Sequence, residues 1–174
     1  MWFFVLQCFY FMLPAYFANM APVIVKDWFK KLAIPIDFGK NIFGKNKTYR
    51  GFIFGILFAV VVTYLQFLLY NIGFFKTLSF IDYSNWFLVG FYFGFGALLG
   101  DLLESFMKRR LKIGPGEKFI PWDQLDFVVG SLILVGIIVN ITWKKVLFIA
   151  IISVLGHILV NHAAYYLKIR NEKW

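Results

Sequence analysis

Between Asp101 and Asp126 the chain places five of its nine acidic residues among five basic ones. On a helix, Asp101, Glu104, Ser105 and Lys108 stand at i, i+3, i+4 and i+7 and share one face. Asp123 and Asp126 repeat the three-residue spacing at the start of the next apolar run. Two carboxylate pairs that converge make a hard oxygen site suited to Mg²⁺, which keeps several waters and binds through one or two carboxylates plus substrate phosphates. Lys108 and Arg109 stand beside them as phosphate partners, the lysine by point charge and the arginine by its planar fork. The same acids could instead cap helix ends and pair with nearby bases, Asp126 having the place of a partner for a helix N-terminal dipole. Residue types alone leave these two readings even. Gly114-Pro115-Gly116 reads as a tight turn between the halves of the segment.

A second chemical segment runs from Pro35 to Gly51. Its glycines permit close backbone approach, and Lys45, Lys47, Thr48 and Arg50 supply donors just ahead of a helix whose positive end favours phosphate. The G-x4-G-K-[ST] spacing of a P-loop is absent. A basic loop resting on anionic lipid is the competing reading. Cys8 is the only cysteine, so neither an intrachain disulfide nor a cysteine zinc cluster is possible. His157 and His162 lie in the last apolar run, and no Ser-His-Asp or Cys-His arrangement is present.

These segments must be positioned by the runs between them. The 174 residues are 61% hydrophobic and 16% charged, against about 45 to 50% and 25% in soluble domains. The net charge of +9 is confined to short segments, which excludes a soluble globular protein; no nucleic-acid partner is expected. Five stretches lack Asp, Glu, Lys and Arg: Trp2 to Val25, Gly51 to Phe75, Tyr83 to Gly100, Phe127 to Trp143 and Val146 to Leu167. A bilayer core of about 30 Å takes about 17 to 25 such residues per helix. The expected fold is therefore an all-α integral membrane protein with five transmembrane helices in a single membrane-embedded domain, residues 1–174. The spans fall near 2–25, 51–75, 83–103, 124–143 and 146–167, and the chemical loops near 26–50 and 104–123. The first run has no basic residue before it and exceeds the roughly 7 to 15 residues of a signal-peptide core, so it reads as a retained span. An outside N-terminus puts 15 of the 18 basic residues on the cytoplasmic side, as the positive-inside bias requires. The C-terminus is then cytoplasmic, and the site lies on the cytoplasmic side of the cell membrane. Gly90-x3-Gly94 and Gly96-x3-Gly100 allow close helix packing.

The run Gly100-Asp101-Leu102-x-Glu104-Ser105-x-x-Lys108-Arg109, followed by Pro121-x-Asp123-Gln124-x-Asp126, resembles the signature of the CTP:phosphatidate cytidylyltransferase superfamily. Phe43-Gly44-Lys45 with Lys47-Thr48-Tyr49-Arg50-Gly51 resembles a second element of that family. The match is closest to its small archaeal branch, through Asn19-Met20-Ala21-Pro22, Pro35-x-Asp37-x-Gly39 and Asp123-Gln124-Leu125-Asp126-Phe127, and covers essentially the whole chain. Gln124 stands where the bacterial diacyl enzymes typically have Arg, and Arg50 where they often have an acid.

The resemblance implies transfer of CMP from CTP to a lipid phosphate, giving CDP-lipid and pyrophosphate, with Mg²⁺ as cofactor. The implied lipid is a prenylated glycerol phosphate, unsaturated archaetidic acid, drawn from the bilayer. It assigns Asp101, Asp123 and Asp126 to the metal with Glu104 as a further ligand, and Lys108, Arg109, Lys47, Thr48 and Arg50 to phosphates of CTP or lipid. Lys45, Asp37, Gly51, Ser105 and Asn19 complete the implied substrate-binding set. The attacking group is the lipid's own phosphate monoester, largely dianionic because its second pKa is about 6, so no protein nucleophile or general base is needed. Two alternatives stay open: a diacyl lipid as substrate, and a cation channel or transporter using the acidic cluster. The second is weakened because the acids sit at one membrane edge and mid-span Asp or Glu is missing. The Asp-x-x-Asp-Gly pattern of CDP-alcohol phosphotransferases fails, since Phe127 follows Asp126.

Overall fold

The computed structural model describes residues 2–44, 46–114 and 117–166, excepting the side chains at 157, 160, 161 and 163–165. Lys45, Pro115, Gly116 and the side chains of His157 and Asn161 therefore lie outside the described residues. Among the described residues six α-helices follow one another: α1 (Trp2–Ile24), α2 (Tyr49–Leu69), α3 (Gly73–Leu78), α4 (Trp86–Arg110), α5 (Trp122–Val135) and α6 (Trp143–Tyr166). Among the described residues there is no strand, and one isolated bridge pairs Pro35 with Thr48. By length and composition α1, α2 and α4 are able to cross a membrane. This is an all-helical integral membrane protein.

The helix α2 is built inside out relative to one in a soluble bundle. On α2 the residues turned inward are small or polar, namely Gly51, Gly55, Ala59, Thr63 and Gln66, at spacings of three and four. Ile53, Leu57, Val61, Leu65 and Leu68 face outward. Where lipid is as apolar as leucine, helices gain by close backbone approach and interhelical hydrogen bonds rather than by hiding large side chains. The centre is α4, which packs on α5, α2 and α1. Its two glycine pairs serve different neighbours. A Cβ at Gly90 or Gly94 would meet the α2 backbone at Val60 and Ile56, 2.7 and 2.8 Å away, whereas one at Gly96 would meet the Gly130 carbonyl of α5 at 2.5 Å. Phe11 of α1 closes the core against Phe93, ring centroids 5.1 Å apart.

Pro14 lies inside α1 and has no N–H to give the carbonyl of Tyr10, four residues back. Gln66 of α2 fills the gap: its Nε2 donates to the Tyr10 carbonyl at 2.5 Å. Gln66→Leu leaves that buried acceptor open and is expected to cost about 1 to 2 kcal/mol. Adding Pro14→Ala supplies a backbone donor, so the double variant should melt above Gln66→Leu alone in detergent. A double variant no more stable than the single one would sink this account.

Several boundaries differ from the sequence expectation, and the stretch expected to span from 124 to 143 ends its helix at Val135. The segment from 104, placed outside the span although Asp101 to Lys108 are read on one helical face, is helical through Arg110, because no Gly or Pro interrupts it before Gly114 and Glu104 pairs with Lys108 one turn on at 2.9 Å. The second apolar stretch ends its long helix at Leu69 and turns through Tyr70-Asn71-Ile72 into the short α3.

Candidate functional site

α4 and α5 touch backbone to backbone at the level of the carboxylates. A Cβ on Gly100 would fall on the carbonyl of Asp126, and one on Gly130 would meet Gly100 Cα at 3.0 Å. That contact brings Asp126 beside Asp101, and Glu104 joins them from one turn further along α4. Carboxylate oxygens of Asp101, Glu104 and Asp126 all lie within 4.8 Å of one another.

The sequence reading gives Asp101, Asp123 and Asp126 to the metal with Glu104 as a further ligand; all four line one space, the oxygens of Asp101, Glu104 and Asp126 cluster, and Asp123 stands on the other side of Glu104. Asp123 sits a turn before Asp126 in α5, where it accepts from Lys108 Nζ and from the Phe119 N–H at 2.7 Å. Lys108 is thus held between Glu104 and Asp123 and ties the end of α4 to the start of α5. Asp126 makes no ion pair among the described residues; its Oδ1 accepts from the Phe127 N–H at 2.6 Å.

The loop between α1 and α2 closes over this group. Asp37 is buried, and its carboxylate accepts N–H bonds from Phe43 at 3.1 Å, Gly39 at 3.0 Å and Ile42 at 2.8 Å. These donors, Phe43's first, hold its carboxyl below the usual carboxylate range. Gly39 and Gly44 take positive φ of 81° and 97°, a turn that glycine makes without strain. Phe43 then packs toward Phe106 of α4, centroids 6.3 Å apart. Backbone bonds Ile36 N to Lys47 O, 2.8 Å, and Tyr49 N to Ile34 O, 3.0 Å, pin the two loop strands together. Lys47 reaches across to Asp101, Nζ to Oδ1 2.5 Å. Thr48 caps α2, its hydroxyl accepting from Gly51 N at 3.3 Å.

A cavity of about 750 Å³ results, and it gathers Asn19, Lys47, Asp101, Glu104, Ser105, Lys108, Arg109, Asp123 and Asp126 from the sequence-derived set. Arg109 contributes a buried Nε with no partner among the described residues. A smaller recess of about 40 Å³, walled by Pro22, Ile36, Phe52, Leu98 and Leu102, shares Lys47 and Asp101 with it and reaches Thr48 and Gly51. Asp37 and Arg50 do not line either space: Asp37 knots the loop, and buried Arg50 donates Nη1 to the Trp28 carbonyl at 2.9 Å. Lys45 lies outside the described residues. Asn41 and Asn46 also line the large cavity, two positions that the sequence reading does not single out. Their place in a glycine- and lysine-rich loop was the available signal.

A carboxylate triad and several cations sharing one cavity in an all-helical membrane protein have the make-up of an intramembrane enzyme that handles phosphates. The CarS-like CDP-archaeol synthase model matches residues 1–174, and the chain belongs to the CDP-archaeol synthase family. It is an enzyme, a CTP-dependent lipid cytidylyltransferase. A CDP-archaeol synthase of Pyrococcus furiosus is 35% identical over 98% of both chains. One of Saccharolobus islandicus is 39% identical over 93% of this chain and 92% of its own. A solved structure described as an intramembrane enzyme for archaeal membrane lipids biosynthesis superposes with a TM-score of 0.74 at 27% identity, covering 90% of this chain and 94% of that one.

Proposed function

We propose that the chain transfers CMP from CTP to the phosphate of unsaturated archaetidic acid, releasing pyrophosphate, with Mg²⁺ held by Asp101, Glu104 and Asp126. The observation that carries this reading is the meeting of that triad with Lys47 and Arg109 in one cavity. The donor set fits the ion: of three carboxylates within 4.8 Å of one another, Asp101 and Glu104 have lysine partners while Asp126 has no ion pair among the described residues, and their hard oxygens are what Mg²⁺ takes. When bound, the ion would neutralise charge on the polyphosphate as CMP passes to the lipid.

The protein's own part is to hold and align. Arg109, with a buried donor unused, supports a phosphate in the large cavity. Lys47 stands at the junction with the apolar-walled recess, a setting that suits a lipid phosphate whose glycerol ether end leaves the polar space. In-line placement of two anionic substrates is the main demand of phosphoryl chemistry. Lys108, engaged by Glu104 and Asp123, orients Glu104 rather than substrate. The reading keeps five spans with the N-terminus outside, and so a cytoplasmic site, on the distribution of basic residues.

Purified protein in detergent with radiolabelled CTP and Mg²⁺ tests the reading. Archaetidic acid should carry label into the lipid phase, EDTA should abolish it, and added Mg²⁺ should restore it. Stronger labelling of a diacyl phosphatidic acid would keep the reaction and overturn the lipid, and no labelling of either by folded protein would return the acids to a cation pathway.

A further inference from the structure

Directly after α1 the chain runs Lys26-Asp27-Trp28-Phe29-Lys30-Lys31-Leu32-Ala33-Ile34, with a short 3-10 turn at Lys30–Leu32. Trp28, Phe29, Leu32 and Ile34 are all exposed, at 49, 62, 38 and 48%. Lys26, Lys30 and Lys31 are exposed beside them and make no ion pair among the described residues. Large apolar side chains interleaved with free lysines, where a helix ends at the edge of an apolar bundle, match the chemistry of a leaflet surface: hydrocarbon below and anionic headgroups above.

The segment is also fastened to the protein. Phe29 stacks on Phe54 of α2, centroids 5.2 Å apart, and buried Arg50 holds the Trp28 carbonyl. Its far end continues without a break into Ile34 and Ile36, whose backbone bonds fix Tyr49 and Lys47. Lys47 in turn reaches Asp101. The patch is therefore mechanically joined to Lys47, which lines the cavity.

We propose that Lys26–Ile34 is an interfacial anchor for anionic lipid headgroups, and that its seating on the leaflet positions the loop carrying Lys47 over the site. The anchoring itself stands apart from the proposed reaction, while its effect on turnover rests on that reading.

The test uses full-length protein in vesicles of neutral lipid alone or with one-third phosphatidylglycerol, the lipid substrate held at a fixed mole fraction. A spin label at Leu32→Cys, in a Cys8→Ser background, reports depth by its collision with oxygen and with a water-soluble nickel chelate. The label should sit deeper in the anionic vesicles, and Lys30→Gln/Lys31→Gln should cancel the difference. Since each lysine near such a surface strengthens binding about fivefold, turnover in anionic vesicles should fall by up to about 25-fold in the double variant. In neutral vesicles it should equal the parent. A label equally water-exposed in both vesicles overturns the anchor, including where a soluble partner is found to cover the patch. A deep label with turnover indifferent to the double variant overturns the positioning. Parent protein that labels no lipid in either vesicle fails the proposed reaction instead, with the depth measurement still deciding the anchor.

Discussion

Asp126→Asn is expected to lower lipid labelling by about 10²- to 10³-fold, the scale seen when a group stabilising developing charge is lost, while the metal-free protein melts at the same temperature or higher. The two directions come from one cause. The substitution keeps the side-chain volume and an oxygen for the Phe127 N–H, but removes one of three carboxyl groups held within 4.8 Å of each other. Repulsion in the empty triad falls, and the cation loses a ligand. Added Mg²⁺ should raise the melting temperature of the parent by ligand linkage and leave the variant unmoved. Asp123→Asn should behave otherwise, because its carboxylate serves Lys108 and the Phe119 N–H: stability drops and the Mg²⁺-induced rise persists. If Asp126 were only a helix-end partner, its asparagine would keep activity within a few-fold and respond to Mg²⁺ like the parent.

That contrast also marks where sequence reading stops. The charge-free runs announced an all-helical membrane protein because hydrocarbon admits few other solutions, and Gly90-x3-Gly94 and Gly96-x3-Gly100 announced close packing. Periodicity put Asp101, Glu104 and Lys108 on one face, and all three line the cavity. What it could not give was the register of α5 against α4. Asp123 and Asp126 have the same spacing as a ligand pair, yet a backbone contact at Gly100 sets Asp126 level with Asp101 and leaves Asp123 a turn outward. Arg50 enters the substrate set as a donor in a basic loop, and Asp37 through the family resemblance. Their engagement with Trp28 and with the Gly39 to Phe43 amides depends on loop geometry that no spacing rule encodes. Pro14 was visible, but its answering partner Gln66 lies 52 positions away, on another helix.

Gly100→Ala is expected to cost about 1 to 3 kcal/mol of stability, as overpacking does, and to cut activity per folded molecule by roughly 10²-fold, as a misplacement of about 1 Å can. The added methyl would fall on the Asp126 carbonyl, which is backbone and cannot swing aside. The helices must part there, at the contact that sets Asp126 beside Asp101. Gly90→Ala supplies the comparison. Its methyl meets Val60 Cα at 2.7 Å, so the stability cost is similar, but the strain falls on α2 about 15 Å along α4 from the triad. Gly90→Ala should therefore melt low and still turn over near the parent rate per folded molecule. Gly73→Ala, with nothing within 4 Å of the new methyl, should match the parent in both measurements. Thermal melts of the three variants, each paired with initial rates normalised to folded protein, separate the two effects. Equal activity losses in Gly90→Ala and Gly100→Ala would mean that the glycines only hold the bundle together. A loss confined to Gly100→Ala would mean that the α4–α5 contact sets the spacing of the carboxylates on which the chemistry depends.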